Sequence, residues 1–121
     1  MKERVERPWG NYEVICEEAG SKSKRIEVHS GKRLSLQKHF RRSEKWTVMC
    51  GRGIVTVGGL QWEVGPGSFI DVPREAVHRM HNTGTGPLVF IEVQLGDYLG
   101  EDDIVRIEDD FGRAELLQKT A

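Results

Sequence analysis

The chain has 121 residues and a formal net charge of −1, with 37% hydrophobic and 31% charged residues. These values describe one soluble folded domain over residues 1–121, and they exclude a disordered chain and a general binder of nucleic acid. No apolar run reaches the length of a membrane span, and Met1–Arg7 lacks the apolar segment of a signal peptide. A cytoplasmic protein without membrane partners is therefore expected, with Cys16 and Cys50 as free thiols.

In chain order, Arg7-Pro8-Trp9-Gly10-Asn11-Tyr12 is a turn between aromatic residues, whose rings are expected to close one end of the fold. Residues 12–17 and 24–29 read as strands about a Gly-Ser-Lys-Ser turn, with Lys24, Ile26 and Val28 sharing a parity. Strands are also expected at 45–50, 54–57, 60–64, 69–72, 76–81 and 88–95. Gly58-Gly59 is a two-residue hairpin signal. Phe90, Glu92 and Gln94 share one face of the last long strand. Short strands with frequent Gly and Pro turns indicate an all-β sandwich or barrel. The tail is acidic with two arginines, Arg106 and Arg113, and 114–119 could form a short C-terminal helix.

The stretch from Gly31 to Gly51 carries the chemistry. Alternation along a strand puts Ser35, Gln37 and His39 on one face and Leu34 and Leu36 on the other. Glu44 follows a short polar turn, in phase with Trp46 and Val48. An amide oxygen, an imidazole and a carboxylate then need one more ligand to complete a metal site, and His78 offers it. Such a mixed nitrogen and oxygen set suits zinc, manganese, iron, cobalt or nickel, and one divalent ion, zinc first, is the expected cofactor. His29 and His81 are read as ordinary polar residues. An exposed apolar edge at Leu34 and Leu36 would favour a homodimer.

The two segments resemble the paired motifs of the cupin superfamily. Gly31, Gln37, His39, Glu44 and Gly51 meet the first motif. Gly67, Pro73, His78 and Asn82 meet the second, with Glu75 in place of a glycine. The resemblance implies a small cupin barrel (a double-stranded β-helix, or jelly roll) with Gln37, His39, Glu44 and His78 pointing into its cavity. Arg7-Pro-Trp-Gly-x-Tyr12, Leu34-Ser-Leu-Gln-x-His39, Ile91-Glu-Val-Gln-x-Gly-x-Tyr98 through Arg106, and Asp110-Phe-Gly-Arg113 narrow it. This set is similar to the type II phosphomannose isomerase domain, commonly joined to a mannose-1-phosphate guanylyltransferase in enzymes of polysaccharide and nucleotide-sugar synthesis. No nucleotide-binding loop occurs here, so a stand-alone isomerase domain is expected.

That family interconverts mannose 6-phosphate and fructose 6-phosphate through an enediol. The resemblance gives Arg106 and Arg113 a substrate-binding or catalytic role; pairing with the acidic runs at 101–103 and 108–110 is the alternative. Arg79 is a weaker candidate. The proton-transfer base stays open among Glu92, Lys45 and groups beside Glu44. Glu92 and Gln94 could instead be hydrogen-bonded polar residues of the barrel. Arg41 and Lys45 stand where the family has histidines, and His81 where it has an acidic residue. These departures keep a second reading open: a metal-binding cupin without isomerase activity, acting as a sugar-binding or regulatory module or on another small substrate.

Overall fold

A computed structural model describes residues 3–113, all of whose regular structure is β. The expected helix at 114–119 lies outside the described residues. The strands are β1 (Arg4–Arg7), β2 (Gly10–Glu18), β3 (Ser21–Val28), β4 (Leu36–Lys38), β5 (Arg42–Cys50), β6 (Gly53–Val57), β7 (Leu60–Val64), β8 (Phe69–Val72), β9 (His78–Asn82), β10 (Leu88–Gly96) and β11 (Val105–Glu108). They form two antiparallel sheets, one in the order β1-β2-β3-β10-β5-β8 and the other β11-β4-β9-β6-β7. The expected all-β jelly roll is the fold observed.

Alternation decides which residues enter the space between the sheets. Ile26 and Val28 from β3, Trp46 and Val48 from β5, Ile70 and Val72 from β8, and Leu88 and Phe90 from β10 meet Val55, Val64 and Met80 from the other sheet. Burying an aliphatic or aromatic side chain of this kind contributes about 1.5–3 kcal/mol each. Lys24, Glu44, Glu92 and Gln94 have the same inward parity and are also buried. One end of the interior is thus apolar and the other polar.

Turn chemistry agrees with the sequence at Gly58-Gly59, where φ is +58° and +89° and a two-residue loop joins β6 to β7. Both values lie in the left-handed region that glycine enters without strain. Motif residue Asn82 is structural: its amide donates to the Val28 and Gly86 carbonyls at 2.8 Å each, and its oxygen accepts from Gly84 N.

Two strands escaped the sequence reading. β1 pairs with β2, and β11 pairs with β4, so part of the acidic tail is an edge strand of the smaller sheet. Leu34 also differs from expectation. It is buried in the core rather than exposed, because the chain joins the ladder at Arg33 only by an isolated bridge to His81 and regular alternation starts at Leu36. Leu34 therefore offers no exposed apolar edge for pairing.

Candidate metal centre

The polar end of the interior converges on Glu44. His39 Nε2 lies 3.2 Å from Glu44 Oε2, and His78 Nε2 lies 3.7 Å from Glu44 Oε1. The three side chains are almost fully buried, and their donor atoms all lie within 4.8 Å of one another. Gln37, in β4, is in register with His78 of β9 and lines the same cavity. The chain thus brings all four expected ligands to one place from β4, β5, β9 and the turn after β4.

Both imidazoles are held in the orientation a metal ligand needs. His39 Nδ1 is 2.7 Å from the Asp103 carbonyl oxygen, and His78 Nδ1 is 2.9 Å from that of Ala76. A carbonyl oxygen only accepts, so each Nδ1 carries the proton and each Nε2 keeps its lone pair toward Glu44. Such outer hydrogen bonds orient ligating histidines and raise their basicity. Burial pushes the His78 pKa down, against the pull of Glu44, which favours the neutral form that binds metal. Burial works against ionisation of Glu44. Its neighbours His39, His78 and Arg42 outweigh it and hold its carboxyl well below the usual range. A carboxylate and two imidazoles that turn Nε2 toward it fit a divalent ion.

The surrounding cavity has about 590 Å³ of empty space counting its open mouth. Its lining is rich in cations: Arg7, Lys24, Arg42, Arg106 and Arg113. Lys24 is buried, donates to Glu101 Oε2 at 2.7 Å, and lies 4.1 Å from the centre of the Tyr12 ring. Glu92, from β10, accepts from Gln94 Nε2 at 2.7 Å. Burial first, and then the charge of Glu44, push the Glu92 carboxyl up to about 8.

The candidates for chemistry separate cleanly. Glu92, Arg106 and Arg113 line the cavity, and Arg106 sits in β11 opposite Gln37. Arg113 is also bound to Asp109, with Nε to Oδ2 at 2.7 Å, so the pairing expected as its alternative role is present as well. Lys45 does not belong to the site. It follows Glu44 by one residue in a strand, so its side chain leaves by the opposite face and pairs with Asp71. Arg41 likewise turns outward to Asp97. Arg79 faces away from the cavity, donating to the Leu34 carbonyl at 2.9 Å and pairing with Glu108. His81, opposite Ile54, is partly buried beside Arg33 and Arg79 rather than in the cluster.

Three contributors went unnoticed in the sequence. Arg42 donates from Nε to Glu44 Oε2 at 2.9 Å; its inward parity with Glu44 and Trp46 was the available signal. Lys24 shows the same signal, a lysine in phase with Ile26 and Val28. Asp103 carries none, because it reaches the turn after β4 from 63 residues away.

The sequence model of the family described as "Mannose-6-phosphate isomerase C-terminal" matches residues 1–109. A mannose-1-phosphate guanylyltransferase of Escherichia coli is 40% identical over 109 residues, which are 90% of this chain and 23% of that protein. The xanthan biosynthesis protein XanB of Xanthomonas campestris pv. campestris (strain B100) is 46% identical over 110 residues, 91% of this chain and 24% of that protein. The chain thus spans about a quarter of the length of these relatives. An RmlC-like cupin of Shewanella frigidimarina superposes with a TM-score of 0.73 at 18% identity, covering 84% of this chain and 87% of the other, a likeness of fold.

Proposed function

This chain belongs to the mannose-6-phosphate isomerase C-terminal family, and on that premise we propose that it is a divalent-metal-dependent aldose–ketose isomerase interconverting mannose 6-phosphate and fructose 6-phosphate. The observation that carries the reading is the cavity itself, in which a buried His39–Glu44–His78 cluster faces a wall of cationic side chains. Gln37, His39, Glu44 and His78 would hold the ion, zinc being the first candidate. When bound, such an ion polarises a carbonyl and stabilises negative charge developing on sugar oxygens.

The remaining residues divide the work. Arg106 and Arg113 bind the phosphate, whose oxygens match the guanidinium fork. Lys24 and Arg7 add positive charge at the same lining, favouring a dianionic substrate. Glu92 is a buried cavity carboxyl outside the ligand cluster, and it moves the proton. The hydrogen on C2 leaves as a proton, a proton is returned to C1, and the O2 hydroxyl proton passes to O1. No electrons leave the substrate, so no redox partner is consumed. The family histidines replaced by Arg41 and Lys45 fall on outward faces, so these departures leave the cavity unchanged.

The test is a coupled isomerase assay on zinc-loaded full chain, with His78→Ala as control. Turnover by the wild type, and loss of both metal and turnover in the variant, are expected. Fully metal-loaded wild type without any turnover would sink the isomerase reading and leave a metal-binding cupin.

A further inference from the structure

We propose that Arg42 is an internal cation of the ligand cluster and competes with a divalent ion for His39 and Glu44. This rests on the metal reading of the cluster and not on the isomerase reaction. Arg42 opens β5 and is only 5% exposed. Its Nε donates to Glu44 Oε2 at 2.9 Å, and its Nη2 lies 3.2 Å from His39 Nε2. Its Nη1 is buried with no hydrogen-bond partner among the described residues. Among the described residues, the side-chain hydrogen bonds of the guanidinium thus go to the ligands themselves.

The competition follows from a count of lone pairs. With the His39 Nδ1 proton committed to the Asp103 carbonyl, the ring has one lone pair left, at Nε2. That pair accepts from Arg42 Nη2 or binds an ion, and it cannot do both. The same guanidinium occupies one side of the Glu44 carboxylate. A guanidinium stays charged across the accessible pH range, so this competitor does not titrate away. It also repels a divalent ion placed among the same ligands.

Backbone geometry keeps Arg42 in place. Gly96 pairs with Arg42 across β10 and β5, and a Cβ there would lie 2.1 Å from the Arg41 carbonyl oxygen and 2.9 Å from Arg42 Cα. The bare glycine lets the strands close at the root of the arginine. Two properties result. Glu44 stays compensated in chelator-treated protein, so the fold tolerates loss of an ion. Metal binding is also weaker and more exchangeable than the four ligands alone would make it.

The experiment titrates Zn2+ against a chromophoric chelator in wild type and Arg42→Met, and records thermal unfolding with chelator and with Zn2+. The variant should bind Zn2+ about tenfold or more tightly, a change of about 1.4 kcal/mol. It should also melt lower in chelator and gain more on Zn2+ addition than the wild type does. Unfolding in chelator with rescue by Zn2+ would support the proposal in the same sense. Equal or weaker affinity overturns it. Should Arg42→Met fold under neither condition, Arg42→Lys decides: a single ammonium cannot span both ligands, so tighter binding than wild type is expected and unchanged or weaker binding overturns the idea. A wild type that binds no Zn2+ removes the metal reading and this proposal together, whereas a binding wild type with an unimproved variant removes this one alone.

Discussion

His39 and Asp103 are joined at 2.7 Å, the imidazole Nδ1–H donating to the Asp103 carbonyl across 64 residues of chain. The Asp103 carboxylate meanwhile accepts the backbone N–H groups of Phe40 and Arg41 at 3.0 and 2.9 Å. One residue of the β10–β11 connection therefore sets the tautomer of a ligand and the shape of the turn that presents it.

Replacing this carboxylate should loosen the metal site. Asp103→Ala is expected to cost about 1.5–3 kcal/mol of stability for the lost charge-assisted bonds. It should also weaken Zn2+ binding, because the turn that presents His39 loses both of its carboxylate anchors while the Asp103 carbonyl remains. Burial opposes ionisation of Asp103, but the bonds from Phe40 and Arg41 outweigh it and hold its pKa below the ordinary value. A carboxyl depressed in the folded chain stabilises it above the unfolded value of about 3.9 and ceases to do so as pH falls through the folded one. Acid unfolding of the variant should accordingly be less steep below about pH 4 than that of wild type, as circular dichroism would record. Equal acid profiles would show that the carboxylate does not cap the turn.

The two cavity arginines should behave differently. Arg106→Ala is expected to keep its metal and fold, and to lose about tenfold to a hundredfold in kcat/KM for mannose 6-phosphate. Arg113→Ala should show a similar kinetic loss and also a lower Tm. Its guanidinium holds the Asp109 carboxylate, which is fully buried and also accepts the Phe111 and Arg113 backbone N–H groups. A drop in Tm with unchanged kinetics for both variants would assign them to the scaffold.

Restoring the family histidine next to the ligand carboxylate should do nothing to turnover. Lys45 leaves the opposite face of β5 from Glu44 and pairs with Asp71 on the outer surface. Lys45→His is expected to leave kcat/KM within about twofold, since exposed ion pairs contribute at most about 1 kcal/mol to stability and this one touches no cavity atom. A larger change in steady-state kinetics would return position 45 to the site.

Glu75 is strained. Its φ is +65°, and its N–H donates to the His39 carbonyl at 2.8 Å, so the backbone is held there by the ligand turn. A left-handed conformation costs a side chain about 1–2 kcal/mol, and glycine's larger unfolded-state entropy returns part of that. Glu75→Gly should raise stability by about 0.5–1 kcal/mol without altering metal content. Denaturant unfolding giving no gain would mean that the exposed glutamate is relieved in another way.

Much of this molecule was legible in the chain itself. A period of two placed Glu44, Trp46 and Val48 on one face, and the motif spacing singled out Gln37, His39, Glu44 and His78 before any coordinates. Gly58-Gly59 marked its hairpin because few other residues tolerate two successive positive φ angles. Local patterns suffice for such features because strand alternation and turn chemistry act over a few residues. The same rule turns Lys45 outward and Arg42 inward, yet Lys45 stands among the sequence candidates for the base and Arg42 is passed over.

What required the tertiary structure was every relationship between distant segments. The tail reads as acidic with two arginines and no assigned strand, yet Val105–Glu108 pairs with β4 and carries Arg106 to the cavity opposite Gln37. Leu34 reads as an outward residue by alternation, but the ladder is broken before Leu36 and the side chain enters the core. The proton on His39 and the register of its turn depend on Asp103, and the charge beside Glu44 on how closely β5 approaches Gly96. Hydrogen bonds and ion pairs between segments act through space over about 3 Å, so only the folding of two sheets over one another could select them.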